Sequence, residues 1–132
     1  MRMRIIIHFI VVVLLIGCSS KVNFDEVVGF YKLRYPYGTE ELRLNKDGTY
    51  IQSVLIDGET NAITKAGKWK FDEEELDIIL IDAMVVDDFF GHPKKDYRKT
   101  QPGLSAFAVK KSFWKIYLLV NPDQGFIFEK IN

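Results

Sequence analysis

Glu41-Leu42-Arg43-Leu44-Asn45-Lys46-Asp47-Gly48-Thr49-Tyr50-Ile51-Gln52-Ser53-Val54-Leu55-Ile56 is the stretch that decides the fold class. Residues 41–45 alternate, so an extended chain places Leu42 and Leu44 on an inward face and Glu41 and Arg43 on an outward one. Lys46-Asp47-Gly48 reads as a tight turn, because glycine accepts a positive φ and an aspartate carboxylate hydrogen-bonds to nearby backbone. Residues 49–56 then return as a strand rich in β-branched side chains. Two strands joined by so short a turn form an antiparallel hairpin.

The same rhythm extends in both directions, with turn signals recurring every ten residues or so. Upstream, Asn23-Phe24-Asp25-Glu26-Val27-Val28 reads as a brief helical turn with Asn23 as its N-cap and acids in the first turn, ended by Gly29. A strand is predicted over 30–35, closed by Pro36-Tyr37-Gly38. Downstream of Asp57-Gly58, a strand over 62–71 has Gly67 as a bulge or kink, Trp69 and Phe71 on one face, and Lys68 and Lys70 toward water. Asp72-Glu73-Glu74-Glu75 is a solvated turn and 76–81 a central strand. Alternation fades over 82–103, which reads as a long loop of the kind that often carries function, with one helical turn near 83–90. Strands over 104–110, 113–120 and 126–130 complete the set, the last two joined by Asn121-Pro122-Asp123-Gln124-Gly125. About eight short antiparallel strands bury a core only by curling into a barrel or packing as two layers, and closure also removes exposed edges. The predicted class is all-β, a small antiparallel meander.

The first residues follow a different pattern. Met1-Arg2-Met3-Arg4 is basic, 5–16 is apolar except for His8, and Gly17 precedes Cys18, the single cysteine of the chain. This is a secretory signal layout. As a helix the apolar run reaches about 18 Å, short of the roughly 30 Å hydrocarbon core. Leu15-Ile16-Gly17-Cys18 resembles the lipobox of bacterial lipoproteins. The resemblance implies cleavage before Cys18, with diacylglycerol and an N-acyl chain on that residue, which also accounts for a cysteine without a disulfide partner. Ser19 after the cysteine implies the periplasmic face of the outer membrane in a cell envelope with two membranes. The implied organisation is a signal peptide over 1–17, a lipidated tether over 18–22 and a β domain over 23–132.

Lysine and arginine number 18 and aspartate and glutamate 18, and losing Arg2 and Arg4 with the signal leaves a slightly acidic domain. Such a balance carries no basic footprint for nucleic acid and no polybasic stretch for anionic lipid, so membrane contact is expected from the acyl chains alone. Asn23-Phe24-Asp25 followed by Gly29-Phe30-Tyr31 resembles the opening of lipocalins, with Phe30 where that family has tryptophan and no counterpart of its later Thr-Asp-Tyr or closing arginine motifs. Asp47-Gly48-Thr49-Tyr50, Gly67-Lys68-Trp69 and Asp123-Gln124-Gly125-Phe126 more closely resemble small, uncharacterised bacterial lipoproteins with a lipocalin-like β domain.

Catalytic chemistry has few candidates. With the signal removed His92 is the remaining histidine, there is no Gly-x-Ser-x-Gly elbow, no cysteine or histidine cluster for zinc and no glycine-rich phosphate loop, so the domain reads as non-enzymatic. Asp87-Asp88-Phe89-Phe90-Gly91-His92 gathers two carboxylates and an imidazole, making Asp87, Asp88 and His92 weak candidates for a divalent ion. The bland alternative is a solvated loop with Phe89 or Phe90 tucked into the barrel mouth. The acids 73–75 read as a wet turn rather than a calcium edge, since no EF-hand spacing accompanies them. Aromatics such as Tyr31, Tyr35, Phe107, Trp114, Phe126 and Phe128 read mainly as core. In a partly hollow barrel, Tyr50, Trp69 and Tyr117 are the expected lining of an apolar ligand site. The expectation is a membrane-anchored, non-enzymatic envelope module that binds an apolar small molecule or lipid. A protein-binding inhibitor, immunity or assembly accessory acting through the 82–103 loop is the alternative.

Overall fold

A computed structural model describes residues 21–98 and 102–131; the signal segment and Cys18 lie outside the described residues. The chain opens with α1 (Phe24–Val27) and continues as β1 (Gly29–Tyr35), β2 (Gly38–Leu44), β3 (Thr49–Ile56), β4 (Ile63–Asp72), β5 (Asp77–Ile81), β6 (Leu104–Ser112), β7 (Lys115–Asn121) and β8 (Phe126–Ile131). Each strand pairs antiparallel with the next, and Phe30, Tyr31 and Lys32 of β1 pair with Ile131, Lys130 and Glu129 of β8. The meander therefore closes as a barrel rather than splitting into two layers. This is the eight-stranded up-and-down architecture that the lipocalin resemblance implied.

The deciding hairpin forms as its residues dictate. Leu42 stands opposite Gln52 and Leu44 opposite Tyr50, all four facing inward and buried. At the turn, Asp47 Oδ1 accepts from the Thr49 backbone N–H (2.9 Å) and hydroxyl (2.6 Å), while Gly48 takes a φ of 83°. The capping box of α1 is complete: Asn23 Oδ1 accepts from the Glu26 N–H at 3.1 Å, and Glu26 Oε2 accepts from the Asn23 N–H at 3.0 Å.

In an antiparallel meander successive connections alternate between the two ends of the barrel. The near end carries α1 and the β2–β3, β4–β5 and β6–β7 turns; the far end carries the β1–β2 and β3–β4 turns, the 82–103 loop and the β7–β8 connection. α1 closes the near end. Val27 is fully buried and its carbonyl accepts from the Tyr31 hydroxyl at 2.7 Å, while the Phe24 ring stacks on Trp69 at 5.1 Å and 3°. Below the far mouth the barrel is filled by Tyr31, Leu33, Leu42, Leu44, Tyr50 and Leu118, as expected of an interior only wide enough for side chains.

Several local expectations change. Gly67 is not a bulge opposite β3, since the register runs without a break from Thr49–Lys68 to Val54–Ile63. It is glycine because the Tyr50 ring lies on it: a Cβ there would sit 2.5 Å from a ring carbon. The strand changes its pairing from β3 to β5 between Lys68 and Trp69. Leu76 and Phe113 leave the strands predicted for them and occupy turns, each with a φ of 56°. The described part of the 82–103 loop contains no helix near 83–90. Asp88 explains this by accepting from the backbone N–H groups of Phe90 (2.8 Å) and His92 (2.9 Å), which favours a turn, and an isolated bridge joins Asp87 to Pro93. Phe89 and Phe90 are not tucked into the mouth, being 83% and 67% exposed; Ala83, Met84, Val86 and Tyr97 are the described apolar loop residues that pack inward.

Candidate functional site

Extending the inward alternation of β2 backward from Leu44 and Leu42 reaches Glu40, a carboxylic acid inside the barrel and 3% exposed. Its neighbour on the inner face of β3 is Gln52, 1% exposed. Gln52 Nε2 donates to Glu40 Oε1 at 2.5 Å, and the Tyr35 hydroxyl donates to Glu40 Oε2 at 2.7 Å, so both carboxyl oxygens are engaged. Gln52 also holds the long loop in place: its Oε1 accepts from the Met84 N–H at 2.8 Å and its Nε2 donates to the Met84 carbonyl at 2.9 Å. A buried polar group without such partners would be costly, so the four residues form one satisfied network.

Above this network, at the far mouth, lies a cavity of about 420 Å³. That volume falls within the roughly 300–1,000 Å³ of small-molecule sites. Apolar walls come from Met84, Val86, Phe107, Val120 and Phe128, and its acids are Glu40, Asp87, Asp88 and Asp123. Among the described residues, no lysine, arginine or histidine lines it. Asp87 is nearly buried and accepts from Asn121 Nδ2 at 3.1 Å, a bond that ties the loop to the end of β7. Burial pushes the Glu40 carboxyl up to about 7 from 4.5; the bonds from Gln52 and Tyr35 oppose that rise and the negative charge of Asp87 adds to it. Asp88 behaves oppositely, held below the usual carboxylate range chiefly by the backbone N–H of His92. Tyr37 stacks on Tyr35 at 5.1 Å, and its buried hydroxyl has no hydrogen-bond partner among the described residues.

The residues expected to line a ligand site stand elsewhere. Tyr50 is fully buried with its hydroxyl donating to the Ile81 carbonyl at 2.9 Å, and Trp69 donates from Nε1 to the Asn45 carbonyl at 2.9 Å. Neither borders the cavity. Tyr117 lies between inward Ile116 and Leu118 and so faces the outside of the barrel. Trp114, expected in the core, is 83% exposed at a turn. Asp87, Asp88 and His92 do not converge as one ligand set: Asp87 faces Asn121, while Asp88 Oδ1 accepts from the Phe90 and His92 N–H groups and its Oδ2 lies 3.3 Å from His92 Nδ1. Among the described residues, no group of three or more histidine, cysteine, aspartate or glutamate side chains is placed to hold a metal. The signal that would have found Glu40 and Gln52 was the alternation itself, carried two residues past the point where it looked apolar.

No family model, curated protein or solved structure matches this chain. Among the described residues no helix is long and apolar enough to cross a membrane. Functional interpretation therefore rests on the barrel and its cavity.

Proposed function

We propose that this protein is a lipid-anchored envelope module that binds a small apolar molecule in the far-mouth cavity without chemical turnover. The observation carrying this reading is the pairing of a cavity of about 420 Å³, walled by Val86, Phe107, Val120 and Phe128, with a buried carboxyl at its floor. Binding fits better than catalysis because both Glu40 oxygens already accept hydrogen bonds from Tyr35 and Gln52. Among the described residues four acids and no base line the space, so the preferred ligand is apolar with a cationic or hydrogen-bond-donating head rather than a fatty acid. The anchor reading rests on Leu15-Ile16-Gly17-Cys18, and Cys18→Ala should leave the chain unprocessed or release it from the membrane.

Titrating the full chain in detergent-free nanodiscs with a fluorescent long-chain alkylamine and with the matching fatty acid tests the cavity. Saturable binding of the amine, lost when Val120→Trp fills the space, is the expected result. Equal binding by the Val120→Trp chain, or no binding of either probe, would overturn the assignment.

A second reading rests on Phe89, Phe90 and Leu104, 83%, 67% and 72% exposed at the far end. On this reading a partner protein covers them at the mouth. A photocrosslinker at position 90 in intact cells separates the readings, since one defined protein adduct favours the partner.

A further inference from the structure

The β6–β7 turn exposes two adjacent aromatics, Phe113 at 86% and Trp114 at 83%, with ring centroids 5.9 Å apart. Nothing in the barrel uses them. Phe113 adopts a φ of 56°, a left-handed backbone that glycine or asparagine takes with least strain and a bulky aromatic does not. A turn needed only to join two strands would carry one of those residues, so the phenylalanine is better explained by what its side chain meets.

The location of this turn identifies its partner. Lys111, two residues before the tip, reaches Glu26 Oε1 of α1 at 2.6 Å, so the base of the hairpin sits beside α1 at the near end. The described chain begins at Lys21, just ahead of α1. Cys18 precedes Lys21 by three residues, and three residues fully extended span at most about 11 Å. Whatever path the tether takes, covalent geometry keeps the near end close to that cysteine. Exposed Ile131 ends β8 at the same end.

We propose that Phe113 and Trp114 form a second membrane attachment point, seated in the bilayer interface beside the lipidated residue; this rests on the anchor reading above. Tryptophan suits that depth, because its ring is apolar and its N–H stays hydrated at the headgroups. The aromatics supply the contact and not charge: Lys110 and Lys115 flank the hairpin, but Glu73, Glu74 and Glu75 occupy the neighbouring β4–β5 turn at the same end. Zwitterionic lipid is therefore sufficient, and salt should have little effect. Two attachment points fix the orientation that one flexible tether leaves open. The barrel stands on its near end with the cavity mouth directed away from the bilayer, so ligand arrives from the aqueous side.

The chain contains two tryptophans, and Trp69 is buried. Full-length Trp69→Phe protein, purified in detergent and reconstituted into phosphatidylcholine vesicles, reports on Trp114 alone. Vesicle flotation reads the anchor. Lipid brominated near the top of its acyl chains should extinguish Trp114 emission, while aqueous iodide should not. Iodide quenching without bromolipid quenching in protein that floats would overturn the attachment point and leave the anchor standing; protein that fails to float would overturn both. Trp69→Phe removes a bond to Asn45, so the same difference is also taken between the native chain and Trp114→Phe. A Phe89→Ser, Phe90→Ser chain should quench like its parent, and loss of bromolipid quenching there instead would invert the barrel and refute the proposal.

Discussion

Gln52 joins Glu40 across neighbouring strands at 2.5 Å while gripping the Met84 backbone of the long loop through two further bonds of 2.8 and 2.9 Å. One side chain thus connects the acid at the cavity floor to the segment forming part of the cavity wall. Gln52→Leu keeps the volume but strands a carboxyl oxygen and two backbone groups of Met84. The expected loss is at least about 1–3 kcal/mol of unfolding free energy, read from urea midpoints. Faster amide exchange at Met84 should accompany it, and unchanged protection there would show that the loop is held by other means.

Stability should fall as pH rises through the range in which Glu40 keeps its proton and the unfolded chain loses its own. Because burial lifts this carboxyl from 4.5 to about 7, its contribution is fully present below pH 4.5, declines between the two values and is gone above about 7. The amplitude is on the order of 3 kcal/mol. Denaturant titrations of the native chain and Glu40→Gln across that window give the measurement. The substituted chain should lack this slope, and parallel curves would assign the proton to another group.

Amine binding should follow the opposite trend. A cationic head meets a neutral Glu40 at low pH and a carboxylate once the proton leaves, so affinity should rise with pH toward about 7 and then level off. Glu40→Gln should remove that dependence and weaken binding by about tenfold or more, equivalent to roughly 1.4 kcal/mol or more. Fluorescence titration at several pH values decides it, and a pH-independent affinity in the native chain would exclude Glu40 from ligand contact.

Gly67→Ala should destabilise the barrel by about 1–3 kcal/mol, since the new methyl would meet the Tyr50 ring at 2.5–2.6 Å. The Tyr50 hydroxyl is itself bonded to Ile81, which limits its retreat. Pairing the change with Tyr50→Leu makes room, and the double-mutant cycle should show a cost below the sum of the single ones. Strict additivity would indicate that the strand, not the ring, opposes the methyl.

Much of the barrel was readable along the chain. The 49–56 strand appears with the predicted bounds, and Asn23, Asp47 and Gly48 perform the capping and turn roles their side chains favour. These are local effects, set by residues a few positions apart. The errors fell where a side chain's meaning depends on a distant neighbour. Tyr50 and Trp69 read as core or, in a hollow barrel, as ligand contacts; they are core, and their polar atoms find the Ile81 and Asn45 carbonyls 31 and 24 residues away. Glu40 and Gln52 drew no attention along the chain, and their role emerges only where Tyr35 and Met84 meet them.

The sequence by itself determined the all-β class, the strand rhythm and the inward positions of Leu42 and Leu44, because a period of two and glycine-bearing turns act within each hairpin. Only the tertiary structure decided that β1 meets β8, that one end is sealed by α1, and that the other holds an acid-floored cavity. It alone placed Trp114 at the end where the described chain begins. Closure, cavities and the sharing of an end arise from residues far apart in the chain, and periodicity along a single strand carries no record of them.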